Sequence, residues 1–211
     1  LDHVPYTLVF HPDQGIKTVQ DLDGRRFAVV PGITYWKWIK KEYGVSADEF
    51  PLKGDLALFG RSPEMFQQGY SIFLPARLED KGIANEQIKV SDLGYKPYST
   101  LFTTQKMIDE NPELVQEVVD RLRAAFVKSL NDPKPTMDLI LGKSKKVTPA
   151  IHMNAIGLMK DEFLPKDYSK LGCMKSERWA ELAGQLKEVD VVPSDFDPST
   201  SFNLSFMGNC E

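Results

Sequence analysis

The strand and helix signals of this chain change character near residue 104, and this change limits the folds open to it. Before residue 104, short apolar runs at strand period alternate with capped helical segments. After residue 104, amphipathic helices follow one another and few strand signals remain. Such helices can pack on each other as a bundle or cover a sheet. If the sheet that they cover is not in this chain, another chain or a missing segment must supply it.

The first half of the chain alternates between strands and helices. Strand signals fall at Tyr6–Phe10, Arg26–Val30, Phe66–Phe73, Ile88–Val90 and Tyr98–Thr103. Helices are predicted from Thr34, acting as the cap, to Tyr43 and from Pro75 to Gly82, with further capping patterns at Thr18–Asp21 and Ser46–Glu49. This alternation predicts an α/β fold with a largely parallel sheet.

Four helices are predicted in the second half. The first begins at Asn111-Pro112-Glu113, which combines a cap, a proline at the first helical position and an acid near the positive end of the helix dipole. The other three begin at Pro135, Thr148-Pro149 and Ser176. The first helix carries an apolar stripe formed by Val115, Val118, Leu122, Phe126 and Leu130. Residues from Pro193 onward are predicted to be irregular.

Composition and charge exclude several classes of protein. Hydrophobic residues make up 42% and charged residues 27% of the sequence, which is typical of a folded globular chain rather than a disordered or fibrous one. The sequence has no apolar run near the ~18 residues that span a bilayer. The net charge is −4 and the basic residues are dispersed, so no nucleic-acid partner is expected. The cluster Lys143, Lys145 and Lys146 is interpreted as a solvated helix end.

The two cysteines, Cys173 and Cys210, allow two interpretations. They form a disulfide in an oxidising compartment, or they are unrelated thiols, and the sequence leaves both open. The first residues read as the edge of a folded domain and show no signal peptide. Mature exported proteins have lost theirs, so this absence does not place the chain in the cytoplasm.

Motifs for catalysis are missing from the sequence. The histidines His3, His11 and His152 lack the mutual spacing of metal ligands. Neither a G-x-S-x-G nucleophile elbow nor a phosphate-binding G-x-x-x-x-G-K-[ST] loop occurs. The sequence therefore predicts no catalytic residue, no metal site and no cofactor.

Two segments favour ligand binding. Pro31–Trp38 follows a strand and opens a helix, so Gly32 allows close backbone approach and the free N–H groups of the helix start can hold a polar atom. Thr34 adds a hydroxyl, and Tyr35 and Trp36 offer flat apolar surfaces. The alternative is an ordinary strand–helix unit whose aromatic residues face the core. The second segment, Gln67 to Pro75, is either a ligand wall or a sheet edge.

These segments together resemble a known family. The resemblance is carried by 15–24 (GIKTVQDLDG), 27–29 (FAV), 32–36 (GITYW), 67–70 (QQGY), 92–98 (DLGYKPY), 101–104 (LFTT) and 111–115 (NPELV). In this order and spacing they are similar to periplasmic solute-binding proteins of ABC importers. The branch that they resemble is the one for thiamine-pyrimidine precursors, which neighbours the nitrate, sulfonate and taurine binders.

The resemblance implies a type II periplasmic-binding-protein fold, in which two α/β lobes enclose a ligand and close over it by a hinge. It implies a crossover strand in residues 1–13, the second lobe in 14–90, a return crossover in 91–103 and the helical part of the first lobe in 104–211. The implied ligand-binding residues are Gly32, Thr34, Tyr35, Trp36, Gly69, Tyr70, Leu74 and Tyr98.

The chain departs from the family pattern in two places. Family members carry roughly a hundred further residues, a lobe's worth, ahead of the position of Leu1. Pyrimidine-precursor binders also show a glutamate before the proline at position 75, where this chain has Leu74. Burying a polar ligand group against Leu74 without a partner costs on the order of 1–3 kcal/mol, so an apolar or aromatic ligand is expected instead of the pyrimidine.

The predicted function is the extracytoplasmic solute-binding component of an ABC importer, located in the periplasm or at the cell surface. Its expected partners are a small organic, aromatic or heterocyclic ligand and a membrane permease. One alternative is an enzyme related to those that make the thiamine pyrimidine, an activity tied to a cysteine-rich motif and a reactive histidine. A ligand-sensing or structural module with a reduced cleft is a further alternative.

Overall fold

The chain is organised as two units, each built from more than one stretch of sequence. In this computed structural model the described residues are 1–54, 56–144, 147–208 and 210. The sheet unit comprises Pro5–Lys96 and Glu181–Phe196. The helical unit comprises Leu1–Val4, Pro97–Ala180 and Asp197–Glu211.

The sheet unit contains five strands in the spatial order β3-β2-β4-β1-β5. The strands are β1 (Tyr6–Phe10), β2 (Arg25–Val29), β3 (Ala47–Pro51), β4 (Met65–Tyr70) and β5 (Glu86–Lys89). β2 pairs in parallel with β3 and β4, whereas β1 is antiparallel to β4 and β5. The predicted α/β class is therefore confirmed. Four of these strands, β2, β3, β4 and β5, run in the same direction, as a largely parallel sheet requires, and β1 runs against them, so the sheet is mixed.

Three helices flank this sheet, and their apolar residues form a core on each side of it. They are α1 (Thr34–Tyr43), α2 (Leu56–Arg61) and α3 (Leu74–Glu79). On the α1 side, the rings of Phe27 and Phe66 stack 4.1 Å apart, and Trp36 meets the Phe27 ring edge-on at 4.7 Å. On the other side, Val9 and Phe59 pack with residues of α3. The two cores follow from the alternation of side chains along each strand.

A short turn of 3-10 helix, Val19–Leu22, precedes β2 and is confirmed as capped. The Asp21 carboxylate accepts hydrogen bonds from the backbone N–H groups of Lys17 and Thr18, at 2.9 and 2.8 Å. The capping pattern at Ser46–Glu49, by contrast, starts no helix. The N–H and hydroxyl of Ser46 both donate to Asp23 Oδ1, and the following residues pair in parallel with β2 as strand β3. Ser46 thus bonds to Asp23, which is distant in sequence, instead of capping a helix at its own position.

The helical unit contains α4 (Gln105–Glu110), α5 (Pro112–Asn131), α6 (Lys134–Lys143) and α7 (Pro149–Leu158), and it includes the first residues of α8 (Ser176–Glu188). A single turn of π-helix, Met159–Phe163, continues α7. The four helix starts predicted from capping and proline positions are confirmed to within a residue. Of the predicted lysine cluster, Lys143 is the last residue of α6, whereas Lys145 and Lys146 lie outside the described residues.

The apolar stripe of α5 is only partly buried within the helical unit. Leu130 is 2% exposed and packs with Ile156, whereas Val118 and Leu122 are 45% and 51% exposed. The strand predicted over residues 98–103 does not form. The N–H of Ser99 donates to the carbonyl of Leu1, but Pro97 has no N–H to extend such pairing into a ladder.

The two cysteines form a disulfide within the helical unit. Cys173 and Cys210 are joined across a separation of 37 residues, which answers the question that the sequence left open. None of the described helices combines the length and the apolar character that a membrane crossing requires.

Candidate functional site

The candidate site lies at one edge of the five-stranded sheet. β2 and β4 are parallel, so their carboxyl ends meet at the same edge. β1 is antiparallel to β4, and the pairing of Tyr6 with Tyr70 brings the amino end of β1 to that edge as well. Ligands of open α/β sheets bind outside the carboxyl ends of the strands. The loop from β2 to α1 begins at the same place.

Three tyrosines form an aromatic cluster at this edge, which we call the aromatic shelf: Tyr6, Tyr35 and Tyr70. The ring of Tyr6 lies 5.5 Å from that of Tyr70 in a stacked arrangement and 4.8 Å from that of Tyr35. Tyr70 is 47% exposed, whereas Tyr35 is 1% exposed. The shelf therefore offers one accessible aromatic ring that rests on two more deeply placed ones.

Two hydroxyls of the shelf, those of Tyr6 and Tyr35, have a raised pKa and remain protonated at neutral pH. Burial, together with the neighbouring Tyr70, raises the pKa of Tyr6 above its ordinary value. Burial raises the pKa of Tyr35 well above its ordinary value, with smaller contributions from Tyr6 and Tyr70. The Tyr35 hydroxyl is enclosed and has no hydrogen-bond partner among the described residues. It is thus a neutral donor whose hydrogen bond is unused.

The loop between β2 and α1 is fixed beside the shelf by two hydrogen bonds. The N–H of Val30 donates to Oε1 of Gln68 on β4 at 2.9 Å, and the N–H of Ile33 donates to the carbonyl of Val30 at 3.2 Å. Gly32 has a φ of +76°, a left-handed conformation that favours glycine. Both Gly32 and Val30 are exposed, so the loop presents its backbone to solvent.

The amino end of α1 differs from the prediction. Thr34 is the first helical residue instead of the cap, and the cap position is occupied by Ile33, which provides no side-chain hydrogen bond. The first N–H groups of a helix have no partner within the helix, and the helix dipole makes that end attractive to anions. An α1 start without a side-chain cap leaves these donors available to a polar or anionic group.

Three of the residues predicted to bind ligand, Tyr35, Trp36 and Leu74, are buried in the cores of the sheet unit. Trp36 is 2% exposed, and its Nε1 donates to Glu49 at 2.9 Å. Leu74 is 7% exposed and packs against Gly69, where a Cβ would approach Leu74 Cδ2 to 2.2 Å. Gly69 is therefore required by the packing of Leu74.

Tyr98 belongs to the helical unit, unlike the other predicted residues. Its hydroxyl accepts a hydrogen bond from the N–H of Lys175 at 3.0 Å. The Arg178 guanidinium lies 3.9 Å above its ring, and Arg178 also donates to Asp2. Through these contacts Tyr98 connects three parts of the helical unit, namely residues 1–4, the start of α8 and the segment 97–104.

The structure brings together Tyr35, Tyr70, Gly32 and Thr34 at one edge of the sheet. It adds one residue that the sequence reasoning missed, Tyr6, which that reasoning treated only as part of a strand. One relevant signal was present in the sequence. Tyr6 is the first residue of a predicted strand, so it lies at one end of that strand. Its pairing with Tyr70 spans 64 positions in the chain and could not be read from local pattern.

Side chains that could hold a metal ion were also sought throughout the described residues. Within those residues, His, Cys, Asp and Glu side chains form no group of three or more with the geometry of a metal site. Both cysteines are joined in the disulfide of the helical unit. The aromatic shelf thus depends on ring faces, hydroxyls and backbone donors for any ligand that it holds.

Several solved structures of binding proteins share the fold of this chain. A periplasmic sulfonate-binding protein of Methylobacillus flagellatus is matched over 97% of this chain and 65% of its own, with 14% identity and a TM-score of 0.60. The periplasmic aliphatic sulphonate-binding protein of Escherichia coli is matched over 93% and 67%, with 15% identity and a TM-score of 0.68. The ligand-binding component of an ABC-type import system of Staphylococcus aureus, solved with zinc bound, is matched over 100% and 72%, with 10% identity and a TM-score of 0.62.

These matches confirm the predicted periplasmic-binding-protein fold, and at such low identities they establish the fold alone. The chain spans about two thirds of the length of these proteins. Among curated proteins, the sequence has no match. The sequence model of the family described as NMT1/THI5 like matches residues 1–136, which is more than half of the chain. The chain therefore belongs to the NMT1/THI5-like family, in agreement with the resemblance carried by its motifs.

Proposed function

We propose that this chain is a solute-binding component of an ABC-type importer and that it holds a small organic ligand without transforming it. The observation that carries the proposal is the aromatic shelf beside the α1 start that lacks a side-chain cap. Tyr70 supplies an exposed ring face, and the first turn of α1, which has no side-chain cap, supplies backbone N–H donors. Concave or edge sites with apolar rings and a few convergent polar groups are typical of small-molecule recognition.

The arrangement favours a ligand with a flat apolar body and one polar or anionic group. A ring that stacks on Tyr70 at the usual 4.5–7 Å between centroids would extend the stack that Tyr6 and Tyr70 already form. The anionic group would lie at the α1 amino end, where the helix dipole contributes about 0.3–1 kcal/mol. Two proteins of similar fold are described as sulfonate binders, and a sulfonate is such a group.

The packing of Leu74 argues against an amino-pyrimidine ligand. Leu74 is buried beneath Gly69 and provides no carboxylate at this edge. The unpaired Tyr35 hydroxyl is the deepest polar group of the shelf, and leaving such a group unpaired when buried costs about 1–3 kcal/mol. A ligand oxygen or an ordered water that accepts from Tyr35 would recover part of this cost.

The proposed location is outside the cytoplasm, with the ligand passed to a membrane permease. The disulfide between Cys173 and Cys210 supports an oxidising compartment. In the proposed domain assignment, residues 1–13 and 91–103 are crossovers, residues 14–90 are one lobe and residues 104–211 are the helical part of the other. Tyr98 belongs to the second crossover in this assignment, and its role in binding stays a prediction.

Binding and its dependence on the aromatic shelf test the proposal. Native mass spectrometry of the protein purified from its source should show a non-covalent adduct of a few hundred daltons, which disappears on denaturation. Calorimetric titration with benzenesulfonate, taurine and a 4-aminopyrimidine should then rank benzenesulfonate first. After incubation the ligand should be recovered with unchanged mass, whereas an enzyme would return a product.

Variants separate the shelf from general surface effects. Tyr70→Ala should weaken benzenesulfonate binding at least tenfold, since it removes the exposed ring face, while the melting temperature stays close to that of the parent. Tyr70→Phe, which keeps the ring, should retain most of the affinity. Phe102→Ala is the matched control, because Phe102 is 92% exposed and lies in the helical unit. Equal binding by Tyr70→Ala and Phe102→Ala would remove the shelf from the proposal.

A further inference from the structure

A second pocket lies in the sheet unit, on the face of the sheet opposite to α1. Met65 and Gln67 of β4 line it, and strand alternation places them on the other face from Phe66, which packs with Trp36 of α1. Residues at the end of β3 and from α2 complete the lining, among them Phe50 and Leu58. The pocket volume is about 240 Å³. It is therefore separate from the aromatic shelf, which lies on the α1 side.

Most of the lining is apolar, and its polar side chains are those of Gln67 and Lys53. Lys53 is exposed, whereas Gln67 is 3% exposed. The amide of Gln67 has no protein hydrogen-bond partner among the described residues, and it is not one of the fully enclosed polar groups that lack a partner, so it opens into the pocket. The adjacent Gln68 differs, because its amide oxygen accepts from the N–H of Val30. Buried polar side chains are nearly always hydrogen-bonded in folded proteins. The amide of Gln67 therefore pairs with what occupies the pocket, which is water or a ligand.

The size of the pocket limits what that partner can be. An apolar protein cavity of about 150 Å³ is large enough to bind benzene. A pocket of about 240 Å³ therefore accommodates one aromatic ring together with a hydroxyl-sized substituent. Leu52, Leu58 and Phe50 provide apolar walls for the ring, and the amide of Gln67 provides both a donor and an acceptor for the substituent.

We propose that this pocket is a second ligand site, which takes a neutral, phenol-sized molecule with one hydrogen-bonding group that pairs with Gln67. The site does not depend on the aromatic shelf or on the function proposed for it. The pocket offers a ligand apolar contacts for its ring and the Gln67 amide for its polar group. An aromatic molecule without a polar group therefore fills the space but leaves Gln67 unpaired.

The test is methyl NMR of the intact chain labelled with ¹³C at the methionine methyl groups, titrated with phenol and, separately, with toluene. Met65 lines the pocket and is 2% exposed, whereas Met107 and Met153 lie in the helical unit and serve as internal references. Met65→Leu assigns the resonance. Phenol should shift the Met65 resonance saturably, with nuclear Overhauser contacts from its ring protons, and leave both references in place.

Variants at position 67 identify the polar contact. In Gln67→Leu, which has similar volume, the affinity for phenol relative to toluene should fall at least fivefold. Tyr70→Ala should leave phenol binding at Met65 unchanged, because the shelf is on the other face. If the Met65 resonance does not move at millimolar phenol, the proposal is overturned. A bound water is then the hydrogen-bond partner of the Gln67 amide. The proposal also fails if the phenol-to-toluene ratio of Gln67→Leu equals that of the parent.

Discussion

Replacing Gly69 by alanine tests how the shelf edge of β4 is held in place. Gly69 has no unusual backbone conformation, so the substitution introduces no backbone strain and acts through space alone. A Cβ at this position would lie 2.2 Å from Leu74 Cδ2, 2.8 Å from Leu74 Cβ and 3.1 Å from Leu74 Cγ. The Cδ2 contact can be relieved by a rotamer change. The Cβ contact cannot, because that atom moves only with the backbone of α3.

The expected cost follows from this geometry. Overpacking a core by one methyl group costs typically about 1–3 kcal/mol, and a contact that requires backbone movement lies at the upper end. We expect Gly69→Ala to lower the free energy of unfolding of the sheet unit by about 3 kcal/mol. Urea unfolding followed by the fluorescence of Trp36 and Trp38 measures it. A Trp179→Phe background removes the tryptophan of the helical unit from the signal.

A double-mutant cycle and a matched glycine decide the cause. Leu74→Gly alone should cost at least the roughly 2–5 kcal/mol of a leucine-to-alanine cavity, but it removes the Cβ, Cγ and Cδ2 atoms that a methyl group at position 69 would meet. Gly69→Ala should therefore cost at least 1 kcal/mol less in the Leu74→Gly background. Gly184→Ala in α8, where a Cβ meets nothing within 4 Å, should stabilise by about 0.5–1 kcal/mol. Additive costs for Gly69→Ala and Leu74→Gly would refute the steric argument.

Three further predictions concern other parts of the chain. The double substitution Cys173→Ala and Cys210→Ala should destabilise the helical unit by about 4 kcal/mol, as expected for a cross-link that closes 37 residues, and Trp179 fluorescence in urea measures it. Burial raises the pKa of Tyr95 to about 12, so its contribution to stability is complete below pH 10 and is lost as the pH rises to about 12. Unfolding free energies between pH 9 and 12 should fall by about 3 kcal/mol more in the parent than in Tyr95→Phe, and equal slopes would contradict this. Trp36→Ala should cost about 3–5 kcal/mol of stability, as a core residue does, and a cost below 1 kcal/mol would return Trp36 to the ligand site.

Local signals predicted most elements of the fold. The strand at Tyr6–Phe10 has the predicted bounds, because the apolar residues Tyr6, Leu8 and Phe10 recur at strand period and a turn follows at His11. The α5 start is confirmed at Pro112, where cap, proline and acid coincide. Among the strands and α-helices of the described residues, β3, α2 and α4 were not predicted, nor were the short 3-10 and π-helical turns from Val90 onward. A six-residue helix such as α2 is too short for periodicity to show, and β3 carries a helix-capping pattern at its amino end.

The features of the fold that local sequence signals did not predict depend on pairing between residues that lie far apart in the chain. Ser46 turns away from a helix because Asp23, more than twenty positions earlier, accepts both of its donors. The direction of β1 is set by β4 and β5, which lie far along the chain. The pairing of Cys173 with Cys210 likewise depends on a packing arrangement that spacing does not encode.

Local features singled out part of the candidate site. The sequence identified the motif around Gly32 and Tyr70, and their role in binding stays a prediction. Tyr35 and Trp36 are both buried on the α1 side of the sheet, and local pattern could not show that Tyr35 meets the ring of Tyr6 whereas Trp36 packs against Phe27. The sequence named Gln67 and Gln68 together as a possible ligand wall but could not separate them, because they are identical in type and differ only in the face of the sheet that they occupy.

The division of the chain between the two units has a consequence for the order in which the protein is made. The sheet unit is interrupted by residues 97–180 and is complete only when Phe196 has been synthesised. The helical unit is completed later still, because it includes residues after 197 and its disulfide needs Cys210. Domains fold as units during synthesis. In a nascent chain stalled between residues 196 and 210, the sheet unit would thus be folded, whereas Cys173 in the helical unit would still be a free thiol. Thiol trapping of such stalled chains would detect this species.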